Sequence, residues 1–396
     1  MRLGPDLYAA LDERLATADA ELRRCYPGPP AGRQPVHTVY IPADRFGADL
    51  VERWGAAARA ALVAHPPLPF PEELRDRVLA KLAREPVEDV RIDFEDGYGT
   101  RDDPDEDAAA RAAAASLAAG PMPPFVGLRC KSLEAGTRRR AVRTLDVFLD
   151  ALGPPPAGFV VTLPKVSRVE QVDAMVHLCA RLEQEYGLRD GGLRFELQVE
   201  TTPAVLGADG TATVARMVHA AGGRCVGLHY GTYDYSAECG IAPAYQSLDH
   251  AVADHAKAVM QVAAAGTGVR VCDGSTNVLP VGETAQVHAA WRLHLALVRR
   301  SLERGFYQGW DLHPAQLPTR FAATYGFFRE GLAEAVTRLA AYRPGGSSGG
   351  GDGGGGDGGD GGGVLDEPAT VRALTGFLRR GVDCGALDPA EVPSGV

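Results

Sequence analysis

Two acidic side chains in the second half of the sequence each follow a short apolar run. Glu200 ends the run 194–200, and Asp234 lies shortly after the run 224–230. If both runs are neighbouring parallel strands, their carboxylates come to the same edge of a sheet. Two oxygen donors, with water and substrate oxygens at the remaining positions, suit octahedral Mg²⁺. The alternative is a pair of rim carboxylates held in salt bridges, and their positions alone do not separate the two interpretations.

Other charged side chains also follow apolar runs. Arg129 has two candidate roles: it forks onto a substrate carboxylate, or it is an internal partner for Asp93 or Glu95. Lys165 also has two, a Schiff base or a protonated electrostatic or structural partner, which nearby acids favour. Because an isolated buried charge costs several kcal/mol, such clustering requires a cause. These segments are Asp93-Phe94-Glu95-Asp96-Gly97, Arg129-Cys130-Lys131, Leu163-Pro164-Lys165 and Asp311-Leu312-His313-Pro314.

The elements that position these residues follow a repeating pattern. Eight short apolar or β-branched runs alternate with helical stretches, which indicates a parallel sheet. Eight such units predict a (β/α)8 barrel, a fold of typically about 250 residues before extensions, with its functional groups at the C-terminal strand ends. The alternative is a doubly wound open sheet, but no GxGxxG segment follows the first run. The runs are 36–43, 87–94, 125–130, 158–166, 194–200, 224–230, 269–272 and 305–312, and the helical stretches include 105–119, 137–152, 169–186 and 284–304.

Composition divides the chain into four segments. Residues 1–35 are predicted to be an N-terminal helical extension, and residues 36–343 the barrel. Residues 344–363 are almost pure Gly, Ser and Asp and cannot pack, so they are expected to be a disordered insertion. Residues 364–396 read as a turn followed by a C-terminal helical element.

Bulk properties exclude several classes of protein. The net charge of −10 argues against a nucleic-acid partner. No apolar run reaches the ~20 residues of a membrane span, and the N-terminus lacks the apolar segment of a signal peptide. The seven cysteines show no CxxC spacing, which argues against disulfides and a zinc site. A cytoplasmic location is therefore expected.

Six motifs, in order, resemble the HpcH/HpaI aldolase and citrate lyase β-subunit superfamily. IDFEDGYG followed by DEDAAARAA resembles its xDLEDxV…K..AR pattern. TLPKV, ELQVETT, GTYDYSAECG and GFYQGWDLHPAQL resemble its lPKv, iEt, GxxDxxxxxG and GFxGkxxIHPxQ signatures. VLDEP resembles the IDxP turn of its citrate lyase-like and malyl-CoA lyase-like members. The resemblance covers roughly residues 36–381, interrupted by the glycine run.

The resemblance implies a (β/α)8 barrel, usually a homotrimer or homohexamer, with a Mg²⁺ site. The metal ligands of the family correspond to Glu200 and Asp234, and its carboxylate-binding arginine corresponds to Arg129. Its acidic pair after strand 2 corresponds to Glu95 and Asp96.

The same resemblance gives a role to Asp366. In citrate lyase-like members, the aspartate of the IDxP turn closes the active site of an adjacent subunit. The alternative is that Asp366 caps the helix beginning near Pro368, since Asp is a favoured N-cap; both roles can hold together. HTVYIPADRFG stands where CoA-using members have an Arg-Ser pair, and LRCKSL stands where many have RxN. The use of CoA is therefore open.

The sequence predicts a Mg²⁺-dependent carbon–carbon lyase. Its substrate would be a small carboxylic or keto acid, or its acyl-CoA ester, cleaved or joined next to an enolate. Asp366, Glu95 and Asp96 are the candidate bases, and Lys165 completes the predicted catalytic set. Two alternatives stay open: an acyl-CoA thioesterase that uses the same metal site, and a non-catalytic barrel that binds a small acid.

Overall fold

The computed structural model describes residues 4–342 and 367–395, and a ring of parallel strands occupies its centre. The strands follow the order β7-β6-β5-β4-β3-β2-β1-β8. Two backbone hydrogen bonds close the ring between β7 and β8: Asp273 N–H donates to the Gln308 carbonyl at 2.8 Å, and Trp310 N–H donates to the Gly274 carbonyl at 3.0 Å. The predicted (β/α)8 barrel is confirmed. The strands are β1 (His37–Pro42), β2 (Asp89–Asp93), β3 (Phe125–Arg129), β4 (Val160–Leu163), β5 (Arg194–Val199), β6 (Cys225–Tyr230), β7 (Arg270–Cys272) and β8 (Gly309–Asp311).

Helices surround this ring, and the four predicted stretches match α4, α5, α6 and α11 to within two residues at each end. In the described residues, none of the helices is long and apolar enough to cross a membrane. The helices are α1 (Pro5–Cys25), α2 (Leu50–Ala64), α3 (Glu72–Arg84), α4 (Asp103–Ala119), α5 (Arg138–Leu152), α6 (Val169–Glu185), α7 (Thr202–Val205), α8 (Thr213–Ala220), α9 (Thr232–Glu238), α10 (Ala251–Ala264), α11 (Thr284–Glu303), α12 (Leu317–Ala341) and α13 (Pro368–Asp383), with 3-10 turns at Ala43–Arg45, Pro243–Tyr245, Pro314–Gln316 and Pro389–Glu391.

The two faces of β5 show how the strands divide the molecule. Phe195 and Leu197 are fully buried in the apolar core between the strands and the helices. Since side chains alternate across a strand, Glu196 and Gln198 lie on the opposite face, where Glu196 accepts hydrogen bonds from Arg91 of β2. The barrel interior is therefore charged, whereas such barrels are usually filled by Val, Ile and Leu.

The C-terminal helix α13 packs against α12. The ring of Phe377 lies 5.6 Å from that of Phe327 and 5.0 Å from that of Phe328. Arg329 of α12 also contacts Glu391 beyond α13 at 3.3 Å. The helical element predicted for the C-terminus is thus docked on the barrel. The predicted insertion at 344–363 lies outside the described residues, and the division into four segments stays a prediction.

Candidate active site

Lys165 follows β4 at the C-terminal mouth of the barrel and lies among four carboxylates. Its ammonium nitrogen is 2.9 Å from Glu95 Oε1 and 2.9 Å from Asp96 Oδ2. The same nitrogen is 4.0 Å from Glu200 Oε1 and 3.6 Å from Asp234 Oδ1. Four predicted site residues, which follow strands 2, 5 and 6, therefore surround the positive charge of a fifth, Lys165.

The charge of Lys165 is strongly favoured in this environment. Burial by itself lowers the pKa of Lys165, but the surrounding carboxylates, Glu200 and Glu95 first, raise it well above its ordinary value. A Schiff base forms from the neutral amine, so these surroundings favour the alternative of a protonated electrostatic partner.

The backbone of Lys165 is also unusual. Among the described residues it is the one non-glycine residue with a positive φ, at 51°. Conformations of this kind cost about 1–3 kcal/mol and cluster at functional sites. In this conformation, the Lys165 N–H donates to Glu200 Oε1 at 2.8 Å. Gln198 Nε2 donates to Glu200 Oε2 at 2.7 Å, so both oxygens of Glu200 are held in place.

Glu200 is a buried carboxylate packed closely against the backbone at Gly231. Burial raises the pKa of Glu200 to about 8, against the opposing effect of Lys165. A Cβ atom added to Gly231 would lie 2.5 Å from Glu200 Oε2, so glycine at this position lets the backbone approach the carboxylate this closely. A buried carboxylate of this kind is stabilised by a nearby cation.

Arg129, at the end of β3, directs the forked side of its guanidinium group towards another residue of the protein. Its Nε and Nη2 donate to the two oxygens of Asp93 at 2.6 Å and 2.7 Å. Nη1 is 3.3 Å from Glu95 Oε2 and 3.3 Å from Gln198 Oε1, and the guanidinium lies 4.7 Å from the centre of the Tyr40 ring. The internal-partner alternative thus describes the contacts of Arg129, and only Nη1 faces the cluster around Lys165.

Asp93 shapes the turn that presents the acidic pair of strand 2. Its Oδ1 accepts the N–H of Glu95 at 2.9 Å, and its Oδ2 accepts the N–H of Gly97 at 2.9 Å. A Cβ atom at Gly97 would lie 2.6 Å from Asp93 Oδ2, so the turn requires glycine there. The sequence alone indicated Asp93 only as a possible partner of Arg129. An Asp that accepts hydrogen bonds from backbone N–H groups two or more residues ahead is, however, a common turn former.

Below this mouth lies a buried polar network that the sequence reasoning missed. Arg91 donates to both oxygens of Glu196 at 2.8 Å, and His229 Nε2 is 3.0 Å from Glu196 Oε2. Trp310 Nε1 donates to His229 Nδ1 at 3.2 Å, with the Tyr40 hydroxyl 3.3 Å from the same atom. Because an indole N–H is only a donor, Nδ1 is the acceptor and Nε2 carries the proton that faces Glu196. The signal was the alternation of charged and apolar residues along β2 and β5.

The donor set at the C-terminal mouth fits Mg²⁺, which takes oxygen ligands and is usually bound through one or two carboxylates plus water and substrate. Glu200 and Asp234 both face the point now held by the Lys165 ammonium. Within residues 4–342 and 367–395, no group of three or more His, Cys, Asp or Glu side chains forms a ready-made metal site. Because two cations repel each other, binding of Mg²⁺ through Glu200 and Asp234 requires the Lys165 ammonium to move away from this point. Asp366 lies outside the described residues.

The fold and the site together define a (β/α)8 barrel whose C-terminal mouth is acidic. The chain belongs to the family described as a domain of unknown function, DUF6986, whose model matches residues 15–396.

Comparison with curated proteins gives a partial match. The L-malyl-CoA/beta-methylmalyl-CoA lyase of Haloarcula marismortui is 26% identical over 178 residues, which are 41% of this chain and 49% of that protein. The chain thus matches about half the length of this relative. This relative is a lyase of the kind found in the superfamily that the six motifs resemble. The match therefore supports the resemblance at the level of the superfamily.

Solved structures share the fold. CitE from Mycobacterium tuberculosis, in complex with magnesium, acetoacetate and coenzyme A, is 22% identical, with a TM-score of 0.54 over 89% of this chain and 99% of CitE. The magnesium/glyoxylate complex of Haloferax volcanii malate synthase is 15% identical, with a TM-score of 0.52 over 72% of this chain and 74% of the synthase. At these identities the likeness concerns the barrel alone.

Proposed function

We propose that this protein is a Mg²⁺-dependent carbon–carbon lyase that acts on a small carboxylic or keto acid, or on its acyl-CoA ester. The main observation behind the proposal is that four carboxylates surround Lys165 at the mouth where such barrels have their active sites. These carboxylates belong to Glu95, Asp96, Glu200 and Asp234. The partial sequence match to a malyl-CoA/methylmalyl-CoA lyase supports the reaction class.

Glu200 and Asp234 are the residues proposed to hold the metal. When bound, Mg²⁺ supplies a Lewis-acid charge that stabilises the negative charge developing on an enolate oxygen. Glu200 is fixed in place by the Lys165 N–H and by Gln198. Asp234 is about half exposed, in the first turn of α9, so it lies open to solvent and substrate.

Arg129 is proposed to orient the substrate. Its bond to Asp93 fixes the direction of the guanidinium, and its Nη1 faces Glu95 and the cluster. A substrate carboxylate that accepts a hydrogen bond from Nη1 would be held at a defined angle to the bond that breaks.

Glu95 and Asp96 are the described candidates for the base, and Asp366 is the third. In cleavage the base takes the proton of the hydroxyl, and in condensation it takes the proton of the acidic carbon. Glu95 is buried and lies between Arg129 and Lys165. Burial raises the pKa of Glu95. Burial also acts to raise the pKa of Asp96, but the hydrogen bond and charge of Lys165, together with Arg129, lower it below its ordinary value. Glu95 is therefore the stronger base of the two.

A product analysis tests the proposal. The protein is incubated with Mg²⁺ and pyruvate, oxaloacetate, glyoxylate or short acyl-CoA esters, and products are read by mass spectrometry. A keto acid or aldehyde from cleavage, or their condensation product, is the expected result. Free CoA with an intact acid would instead indicate the thioesterase, and saturable binding with no product would indicate a non-catalytic barrel.

The proposed role of Asp366 in a neighbouring subunit has its own test. Asp366→Asn keeps most capping ability but removes the charge, so we expect a large fall in kcat with little change in melting temperature. Mixing inactive Asp366→Asn and Glu200→Gln subunits should restore some activity, because hybrid oligomers contain complete sites. A mixture that stays inactive after verified subunit exchange would rule out the shared site.

A further inference from the structure

The N-terminal mouth of the barrel, opposite the active site, contains a cavity of about 390 Å³. The starts of the strands line it, together with the segment 30–35 that precedes β1. Gly227 of β6, which points to the barrel interior, contributes no side chain to fill it. The volume lies at the lower end of small-molecule sites, which are about 300–1,000 Å³.

Three arginines surround this cavity without carboxylate partners. The side chains of Arg189 and Arg194 are exposed and make no hydrogen bond or ion pair with any other described residue. Arg270 is half-buried, and its Nη2 donates to the Ala31 carbonyl at 2.9 Å and to the Gly32 carbonyl at 3.4 Å. None of the three forms an ion pair in the part of the chain that the structure describes.

The acids deeper in the cavity do not balance these charges, because four arginines but only two carboxylates, Asp89 and Glu196, line it. Arg91 contacts both Asp89 and Glu196, and His229 provides a second contact to Glu196. Asp89 also accepts a hydrogen bond from the Thr38 hydroxyl at 2.7 Å. The mouth therefore has a surplus of positive charge, on a chain whose net charge is −10.

The surplus extends to a cleft next to the cavity, which shares Arg270 with it. Arg379 and Arg380 of α13 line this cleft, and the guanidinium of Arg380 lies 4.4 Å from the centre of the Tyr307 ring. Asp383 lines the same cleft and makes no ion pair with the residues described. Burial lowers the pKa of Arg270, and the nearby carboxylates of Asp89 and Asp383 offset this effect only in part.

We propose that the N-terminal mouth binds a compact multivalent anion of the phosphate or polycarboxylate class, held by Arg189, Arg194 and Arg270. Guanidinium groups match the oxygens of such anions in a forked geometry. The bound anion would neutralise positive charges of these three arginines that have no ion-pair partner among the described residues. Glu200 is six positions after Arg194, which corresponds to about 20 Å along an extended strand. The anion site is thus separate from the active site, and its occupancy does not depend on the reaction proposed above.

Calorimetric titration of the full-length protein tests the proposal. The probes are inorganic pyrophosphate and the tricarboxylate tricarballylate, without Mg²⁺ and at constant ionic strength set with chloride. We expect one saturable site, weakened at least about tenfold by Arg194→Gln and by Arg189→Gln, since a hydrogen bond to a charged group carries that effect. Arg53→Gln, which removes an exposed arginine of α2, and Glu200→Gln are the controls and should bind as the wild type does.

The two probes separate the sources of the anion. Tighter binding of pyrophosphate indicates a phosphate ligand, and tighter binding of tricarballylate indicates a polycarboxylate. The proposal is wrong if neither probe gives a saturable site, or if Arg194→Gln and Arg189→Gln bind as tightly as Arg53→Gln. A change in binding by Glu200→Gln in either direction would also overturn it, because the anion would then lie at the active site.

Discussion

The two mouths of the barrel are formed by the same strands but carry excess charge of opposite sign. At the C-terminal mouth four carboxylates surround Lys165, so negative charge is in excess around one cation. At the N-terminal mouth Arg189, Arg194 and Arg270 have no acidic partner among the residues described. Strand β5 contributes to both, with Arg194 at its start and Glu200 just past its end. A single inward-facing row of residues, from Arg194 to Glu200, thus contributes charges of opposite sign to the two mouths.

Between the mouths, the interior charges are satisfied inside the protein. Buried ion pairs are weak evidence for stability, because desolvation can exceed their attraction. The buried network of Arg91, Glu196 and His229 lies between the two mouths and separates them. Its ion pairs do not by themselves explain the stability of the barrel. Four substitutions probe this division, in order of expected effect.

The largest effect is expected for Arg91→Met, which leaves the buried Glu196 and Asp89 without their cation. Removing one partner of a buried pair costs about 3–5 kcal/mol. Urea unfolding of the full chain should show this loss in the free energy of unfolding, and Arg181→Gln on the surface of α6 is the matched control. Equal stability of the two variants would mean that the interior charges are not coupled as their distances indicate.

Glu200→Gln should remove activity at the C-terminal mouth. Loss of a group that stabilises the transition-state charge typically lowers kcat about 100–1,000-fold. We expect a fall in this range, together with weaker Mg²⁺ binding by calorimetry and an unchanged melting temperature. Glu170→Gln, which removes an exposed acid of α6, is the control. Normal Mg²⁺ binding by Glu200→Gln would rule out this residue as a ligand.

Arg129→Lys should have a smaller effect because one positive charge remains. Lysine cannot form the fork that Arg129 makes with Asp93, and it loses the fixed direction of Nη1. The loss of one charge-assisted interaction, about 1.5–3 kcal/mol, corresponds to about tenfold or more in kcat/KM. Wild-type kinetics in this variant would refute a role for Arg129 at the site.

The sequence was sufficient to predict the barrel and the C-terminal mouth, for a physical reason. Alternation of apolar runs and helices determines the parallel topology, and parallel strands bring their ends to one face. Glu95, Asp96, Lys165, Glu200 and Asp234 therefore lie together at the C-terminal mouth, whatever their individual side-chain contacts, while the roles predicted for them stay predictions.

Contacts between side chains could not be predicted in the same way. Whether Arg129 forks onto Asp93 or faces the substrate depends on distances of a few ångströms that spacing does not determine. The positive φ of Lys165 depends on its bond to Glu200, which is 35 residues away in the sequence. The N-terminal mouth was missed because its arginines come from β7, from β5 and from the loop before β5, and form no motif. Only the alternation of charged and apolar residues in Arg194–Glu200 carried a signal.

The smallest effect concerns the segment 30–35 that lines the N-terminal mouth. Arg33 fastens this segment to Glu85 with two hydrogen bonds, at 3.1 Å and 2.7 Å. Burial by itself would raise the pKa of Glu85, but hydrogen bonds from Arg33 and Lys81 lower it from 4.5 to about 2. A carboxylate whose pKa is lower in the folded state stabilises the fold above its unfolded pKa and loses that contribution as the pH falls through its folded pKa.

Glu85→Gln should therefore be less stable than the wild type at pH 7, by about 2 kcal/mol, and the difference should narrow as the pH falls from about 4.5 towards 2. Urea unfolding of both proteins across this range measures the narrowing. Arg33→Gln should lose part of the same contribution, because it removes one of the two cations that pair with Glu85. A stability difference that stays constant down to pH 3 would show that the charge of Glu85 does not hold this segment in place, and would leave the buried Glu88, 2.7 Å from Arg33, as its acidic partner.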